Sequence, residues 1–192
     1  MLLDSTARWL LVLHTFVGIA AVGAATHLVI WTRRYLRGQY GRRRAVIRFC
    51  VITLALQIGA FVAGNIMYPT YKVEVRTAYL ESSQAVTAAE EAHERDLARL
   101  AEREGIEPTQ APSTQKMVKR AAAAARWFDI KEHWIALGLI TSAALLLILS
   151  RWDPRRDGTV IAPVVTTLAW LTAGTVWLGA IIGVLTASWR AV

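Results

Sequence analysis

The chain has 192 residues, 55% of them hydrophobic and 19% charged, with a formal net charge of +8 and a pI of about 10.2. That apolar fraction excludes a soluble nucleic-acid binder despite the charge. The single cysteine, Cys50, excludes an intramolecular disulfide framework and a cysteine-rich zinc site.

The basicity is local. Arg33, Arg34, Arg37, Arg42, Arg43, Arg44 and Arg48 lie within residues 33–48, with no acid among them, and together carry nearly the whole net charge. On either side of this cluster lie stretches long enough to cross a bilayer, which takes about 20 residues at 1.5 Å each. The first, 9–31, contains no Asp, Glu, Lys or Arg. Its leader places Asp4 before Arg8, and its apolar run is longer than a signal-peptide core, so it reads as a span. The second, 45–68, contains one charge, Arg48.

The segment 69–132 is polar and nearly neutral. Residues 77–104 are rich in Ala, Glu, Arg and Leu and predict a helix, with Val86, His93, Leu97 and Leu100 near one face. Gly105 ends it, and 106–113, with Pro108 and Pro112, predicts a turn. A second helix is expected from Thr114 through the alanines at 121–125, without a breaker before a third apolar stretch at 133–150. The fourth stretch is 160–188. Trp9, Trp31, Tyr68, Trp134, Trp152 and Trp189 sit at the boundaries, as in an interfacial aromatic belt.

These elements predict an all-α integral membrane protein. It is a four-helix bundle with a long extracytoplasmic helical hairpin between spans two and three. Spans one and two occupy 1–68, the hairpin 69–132, and spans three and four 133–192. Arginines in the short connections set the orientation. The loop after the first span and the 151–158 loop, with Arg151, Arg155 and Arg156, face the cytoplasm. Both termini and 69–132 then lie outside, in a bacterial inner membrane. Arg42, Arg43 and Arg44 act as topology determinants and contact lipid phosphate. The hairpin reads either as a solvated connector or as a docking surface for a protein partner.

Histidine is costly in lipid and commonly faces a bundle interior or a partner. His14 in the first span and His133 at the start of the third fall at matching depth near the outer face. Two imidazoles from facing helices would provide the axial ligands of a b-type haem. Lys72, Arg76, Arg126 and Lys131 are available to its propionates. Gly18, one turn from His14, could admit a macrocycle, as could Gly59, Gly64, Gly138, Gly179 and Gly183. The same glycines could equally pack helix on helix or copy on copy. His27 lies thirteen residues from His14 and points about 140° away, so it reads as structural. His93 reads as solvated. A transition-metal set of Asp129, Glu132 and His133 with Glu74 or His14 is a further possibility. Asn65, Tyr68, Pro69 and Tyr71 could line a quinone pocket or form part of the aromatic belt. The sequence contains no nucleophile elbow, phosphate loop or zinc-protease helix.

The run Leu13, His14, Thr15, Phe16, Val17, Gly18 resembles the histidine-then-glycine pattern of small cytochrome b membrane subunits. It also resembles the first helix of copper-resistance-type and other four-helix membrane proteins. The run Phe128, Asp129, Ile130, Lys131, Glu132, His133 resembles a second ligand segment. The resemblance covers only these two stretches. It implies one bis-histidine haem b held by His14 and His133, and electron transfer with quinone or a redox partner in a larger complex. The alternative is a cofactor-free membrane scaffold or accessory subunit whose outer hairpin docks a partner. Neither reading involves nucleic acid.

Overall fold

A computed structural model of the chain describes residues 5–105 and 114–188. Asp4, Trp189 and the expected turn at 106–113 lie outside the described residues. Everything regular among the described residues is helical. Four helices are long and apolar enough to cross a membrane: Ser5–Leu36, Tyr40–Leu80, Gln115–Arg151 and Ala162–Thr186.

Helix α1 (Ser5–Leu36) outruns the apolar stretch that predicts it at both ends. Apolar content marks the part suited to lipid, whereas the helix itself continues until a residue stops it. That residue is Gly38, whose φ of 96° is open to glycine and strained for others. The Gly38 and Gln39 N–H groups close on the Tyr35 and Arg34 carbonyls. A single 3-10 turn, Tyr40–Arg42, then leads into α2 (Arg43–Tyr71).

Pro69 lies inside α2 rather than ending it. A proline removes one N–H and crowds the carbonyl four residues back. Directly afterwards the backbone widens into a π-helical segment, Lys72–Leu80, and the Glu81 N–H reaches back five residues to Arg76. The second helix therefore runs nine residues beyond Tyr71, and α3 (Ser83–Glu104) starts later than its composition predicts. Ser82 caps α3 by accepting from the Ala85 N–H at 3.2 Å, and Gly105, with φ 66°, closes it.

Helix α4 (Thr114–Arg151) is one uninterrupted helix of 38 residues, which carries the second polar segment straight into the third apolar stretch. A short α5 (Pro154–Asp157) has Asp153 as N-cap and Pro154 in its first turn. The Arg156 side chain, with the Asp153 N–H, holds the Asp157 carboxyl well below the ordinary carboxylate range, at about 2. Helix α6 (Ala162–Ser188) completes the chain.

Helix α1 packs on α2 and α6, and α4 packs on the same two, so α1 and α4 face each other diagonally. Two apolar clusters form at opposite ends. The first, at the arginine-rich end, centres on Leu28, Tyr35, Val46, Leu145, Leu149 and Val165. The second joins Ala7 to the π-helical segment, α3 and the first turns of α4 through Val75, Leu80, Val86, Ala121 and Ala125. Small alanines on α4 let α3 and the π-helical segment approach closely. Between the clusters, buried alanines alternate with a set of buried polar side chains.

Candidate functional site

The polar interior is built from residues three or four apart on α2 and α6 and from an adjacent pair on α4. Thr53 and Gln57 on α2, Thr141 and Ser142 on α4, and Thr172 and Thr175 on α6 are all buried. Ser142 Oγ donates to Gln57 Oε1 at 3.2 Å and lies 2.7 Å from the Gly138 carbonyl. Thr172 Oγ1 donates to Thr141 Oγ1 at 3.2 Å. Gly138 gives α6 room: a Cβ there would lie 2.5 Å from Thr175 Oγ1. The Gln57 Nε2 amide and the Thr53 hydroxyl are buried without a partner, a state that costs about 1–3 kcal/mol per group if nothing satisfies it.

His14 and Lys131 lie one layer further toward the Ser5 end. The half-buried His14 donates from Nδ1 to the Ala60 carbonyl at 2.9 Å. That bond fixes the tautomer and leaves Nε2 bare in the neutral ring. Gly64 makes room beside it, since a Cβ there would touch His14 Cε1 at 3.5 Å. The charged neighbour of His14 is Lys131. Its ammonium lies 5.6 Å from the centre of the Phe128 ring and would be 3.3 Å from a Cβ on Gly183.

His133 lies elsewhere. Its side chain is exposed and its Nδ1 donates to the Asp129 carbonyl, one turn back on its own helix, at 2.8 Å. Two residues along an α-helix turn the side chain by about 200°, so with Lys131 turned toward His14, His133 is turned away. Arg76, expected at a propionate, is already paired with Glu81 at 2.7 Å and with Asp129 at 2.6 Å. Arg126 is exposed, and a Cβ on Gly18 would meet nothing within 4 Å. A haem held between α1 and α4 needs two imidazoles facing across the iron. His133 is exposed and bonded within its own helix, so the structure does not bring a second imidazole opposite His14.

The metal set is not assembled either. Among the described residues no three His, Cys, Asp or Glu side chains are grouped to hold a metal ion. Asp129 is committed to Arg76, and its backbone carbonyl to His133.

Tyr71 stacks on Phe128 with ring centres 4.0 Å apart, and Tyr68 lies 6.4 Å from Tyr71. Asn65 is exposed and donates to the Phe61 carbonyl on its own helix at 2.8 Å, so it does not join them. His27 donates to the Gly23 carbonyl at 2.8 Å and stacks on Phe49, consistent with a structural part. His93 is exposed.

At the opposite end Arg43 donates to the Leu149 carbonyl at 2.8 Å and lies 3.6 Å from Asp153, which also accepts from the Tyr35 hydroxyl. This clamp joins the two basic connections and was not foreseen. Its signal in the sequence is Asp153, one of two acids in the basic 151–158 connection and the one that precedes Pro154. No family model, curated protein or solved structure matches the chain.

Proposed function

We propose that the chain is a membrane-embedded scaffold or accessory subunit whose outer helical arm docks a partner protein. The supporting observation is the contrast along α3. Its base is locked, with Val86 and Glu90 buried, while every residue from 91 to 100 is exposed, including Leu97 at 41% and Leu100 at 51%. A helix half whose apolar side chains meet no partner of its own chain is suited to receive one. In this reading the four apolar helices form a bundle in a bacterial inner membrane, with both termini and 69–132 on the extracytoplasmic side. The arginine loops support that orientation, because Arg43–Asp153 and Arg155 over Tyr40 draw both basic connections to one end.

The test is site-specific photo-crosslinking in cells. A crosslinker at position 97 or 100 is expected to give one adduct of discrete mass. Position 140 on the exposed face of α4 should give none, and Glu90→Gln should leave the adduct intact. Equal, diffuse labelling at all three positions overturns the docking reading.

A second reading has its own observation, the His14–Lys131 pair beside the Tyr71–Phe128 stack. The bare His14 Nε2 can accept from a hydroquinone hydroxyl, and the Lys131 ammonium can donate to a quinone carbonyl. In that case the subunit serves electron transfer through a bound quinone. Quinone co-purifying with the protein and lost in His14→Leu supports this reading. Quinone absent from both preparations rejects it. A Soret band with a low-spin α band from the purified protein would overturn both readings in favour of haem b.

A further inference from the structure

We propose that the arginine-rich end of the molecule holds an anionic phospholipid in a groove between α1 and α6. The groove has a volume of about 460 Å³. Its α1 wall is Val29, Thr32, Arg33 and Leu36, with Arg37 one turn beyond Arg33, and Ala169 and Trp170 face them from α6. On α1 the spacing of three or four residues places these side chains on a single helix face. The Arg37 N–H still bonds to the Arg33 carbonyl at 3.2 Å, so the helical register carries both guanidinium side chains to the same rim.

Charge selects the ligand. Most other arginines at this end are already compensated. Arg43 meets Asp153, and Arg156 meets Asp157. Arg34 and Arg42 lie over Trp31, and Arg155 lies over Tyr40. Among the described residues no carboxylate pairs with Arg33 or Arg37. Two guanidinium groups above an apolar wall complement a phosphodiester, with acyl chains running along Leu36, Val29 and Trp170. Trp170 is 54% exposed and offers its ring face to such a chain.

A second observation also points to a ligand. Thr32, in the groove wall, is only 2% exposed, and its hydroxyl has no hydrogen-bond partner. A hydroxyl in that state lacks the acceptor that a lipid ester or phosphate oxygen would provide. A free phosphate satisfies the arginines but leaves the apolar wall bare, so the ligand is the lipid.

Native mass spectrometry of the full chain, released from neutral detergent, tests this with dioleoylphosphatidylglycerol and dioleoylphosphatidylcholine as probes. The phosphatidylglycerol adduct is expected to outlast the phosphatidylcholine adduct. The Arg33→Gln/Arg37→Gln double variant should lose the preference by roughly tenfold or more, from the usual contribution of each basic residue beside anionic lipid. The Arg33→Lys/Arg37→Lys variant should retain much of the preference, and Arg48→Gln, outside the groove, all of it. Equal retention of the two lipids overturns the proposal. So does an Arg48→Gln loss as large as that of the double variant. Displacement of the lipid by saturating inorganic phosphate would assign the site to a free anion and overturn it as well.

Discussion

Gly138 shows how narrowly one residue sets the approach of two helices. A Cβ at that position would lie 2.5 Å from Thr175 Oγ1 and 3.4 Å from Gln57 Oε1. Gly138→Ala is therefore expected to destabilise the protein by about 1–3 kcal/mol, the usual cost of overpacking. Thermal unfolding in a fixed detergent reads this out. Gly18→Ala and Gly23→Ala, which add a methyl into open space, should be neutral or slightly stabilising, since alanine is the better helix former. The glycine spacing was visible in the sequence, but which glycine is tight was not, because that depends on the side chain opposite. The same limit explains His14 and Lys131. Counting residues from the end of a span gives depth, and puts His14 level with the start of the third apolar stretch. It gives no azimuth, and azimuth decides between Lys131 and His133. Little in α4 signals the inward face, since Ala, Trp, Ile and Leu surround the helix on most sides.

The π-helical segment Lys72–Leu80 is held in place by Arg76, which bridges its own C-terminal end at Glu81 to α4 at Asp129. Exposures of 21% for Arg76 and 39% for Asp129 keep water at the pair, so its net contribution is about 1 kcal/mol or less. Arg76→Gln should hardly move the global melting temperature. It should speed amide exchange across 72–80 severalfold while leaving α6 unchanged, because a local clamp governs local opening. Uniform acceleration throughout the chain would refute that assignment. The existence of the helices was legible from apolar length and from Gly105 as a stop, whereas the Ser82 cap lies inside the stretch whose composition already reads as helix. The π-helical register was not, because Pro69 reads as a stop. Helices tolerate proline when a wider turn can reabsorb the freed carbonyls.

The orientation is a property of the whole molecule and has a simple measurement. Cys50 is buried, and its thiol donates to the Ser142 carbonyl at 3.7 Å, so it should stay silent to reagents. A cysteine at position 93 is expected to react with a membrane-impermeant maleimide from outside intact cells. One at position 155 should react only after permeabilisation. The reverse pattern would invert the arrangement and place the arm of α3 in the cytoplasm. The charge arithmetic made this expectation legible from the outset, since nearly all of the +8 sits in one connection.

Helix α4 spans about 57 Å at 1.5 Å per residue, nearly twice the thickness of a hydrocarbon core. One rigid rod thus belongs to both apolar clusters, with Ala121 and Ala125 near one end and Leu145 and Leu149 near the other. Between them Gly138 is wedged against Thr175, close to the position of a fulcrum. A load on the α3 base is therefore expected to reach the Arg43 contact with the Leu149 carbonyl through this one helix, so a spin-label distance across that contact should shift when the arm of α3 is bound.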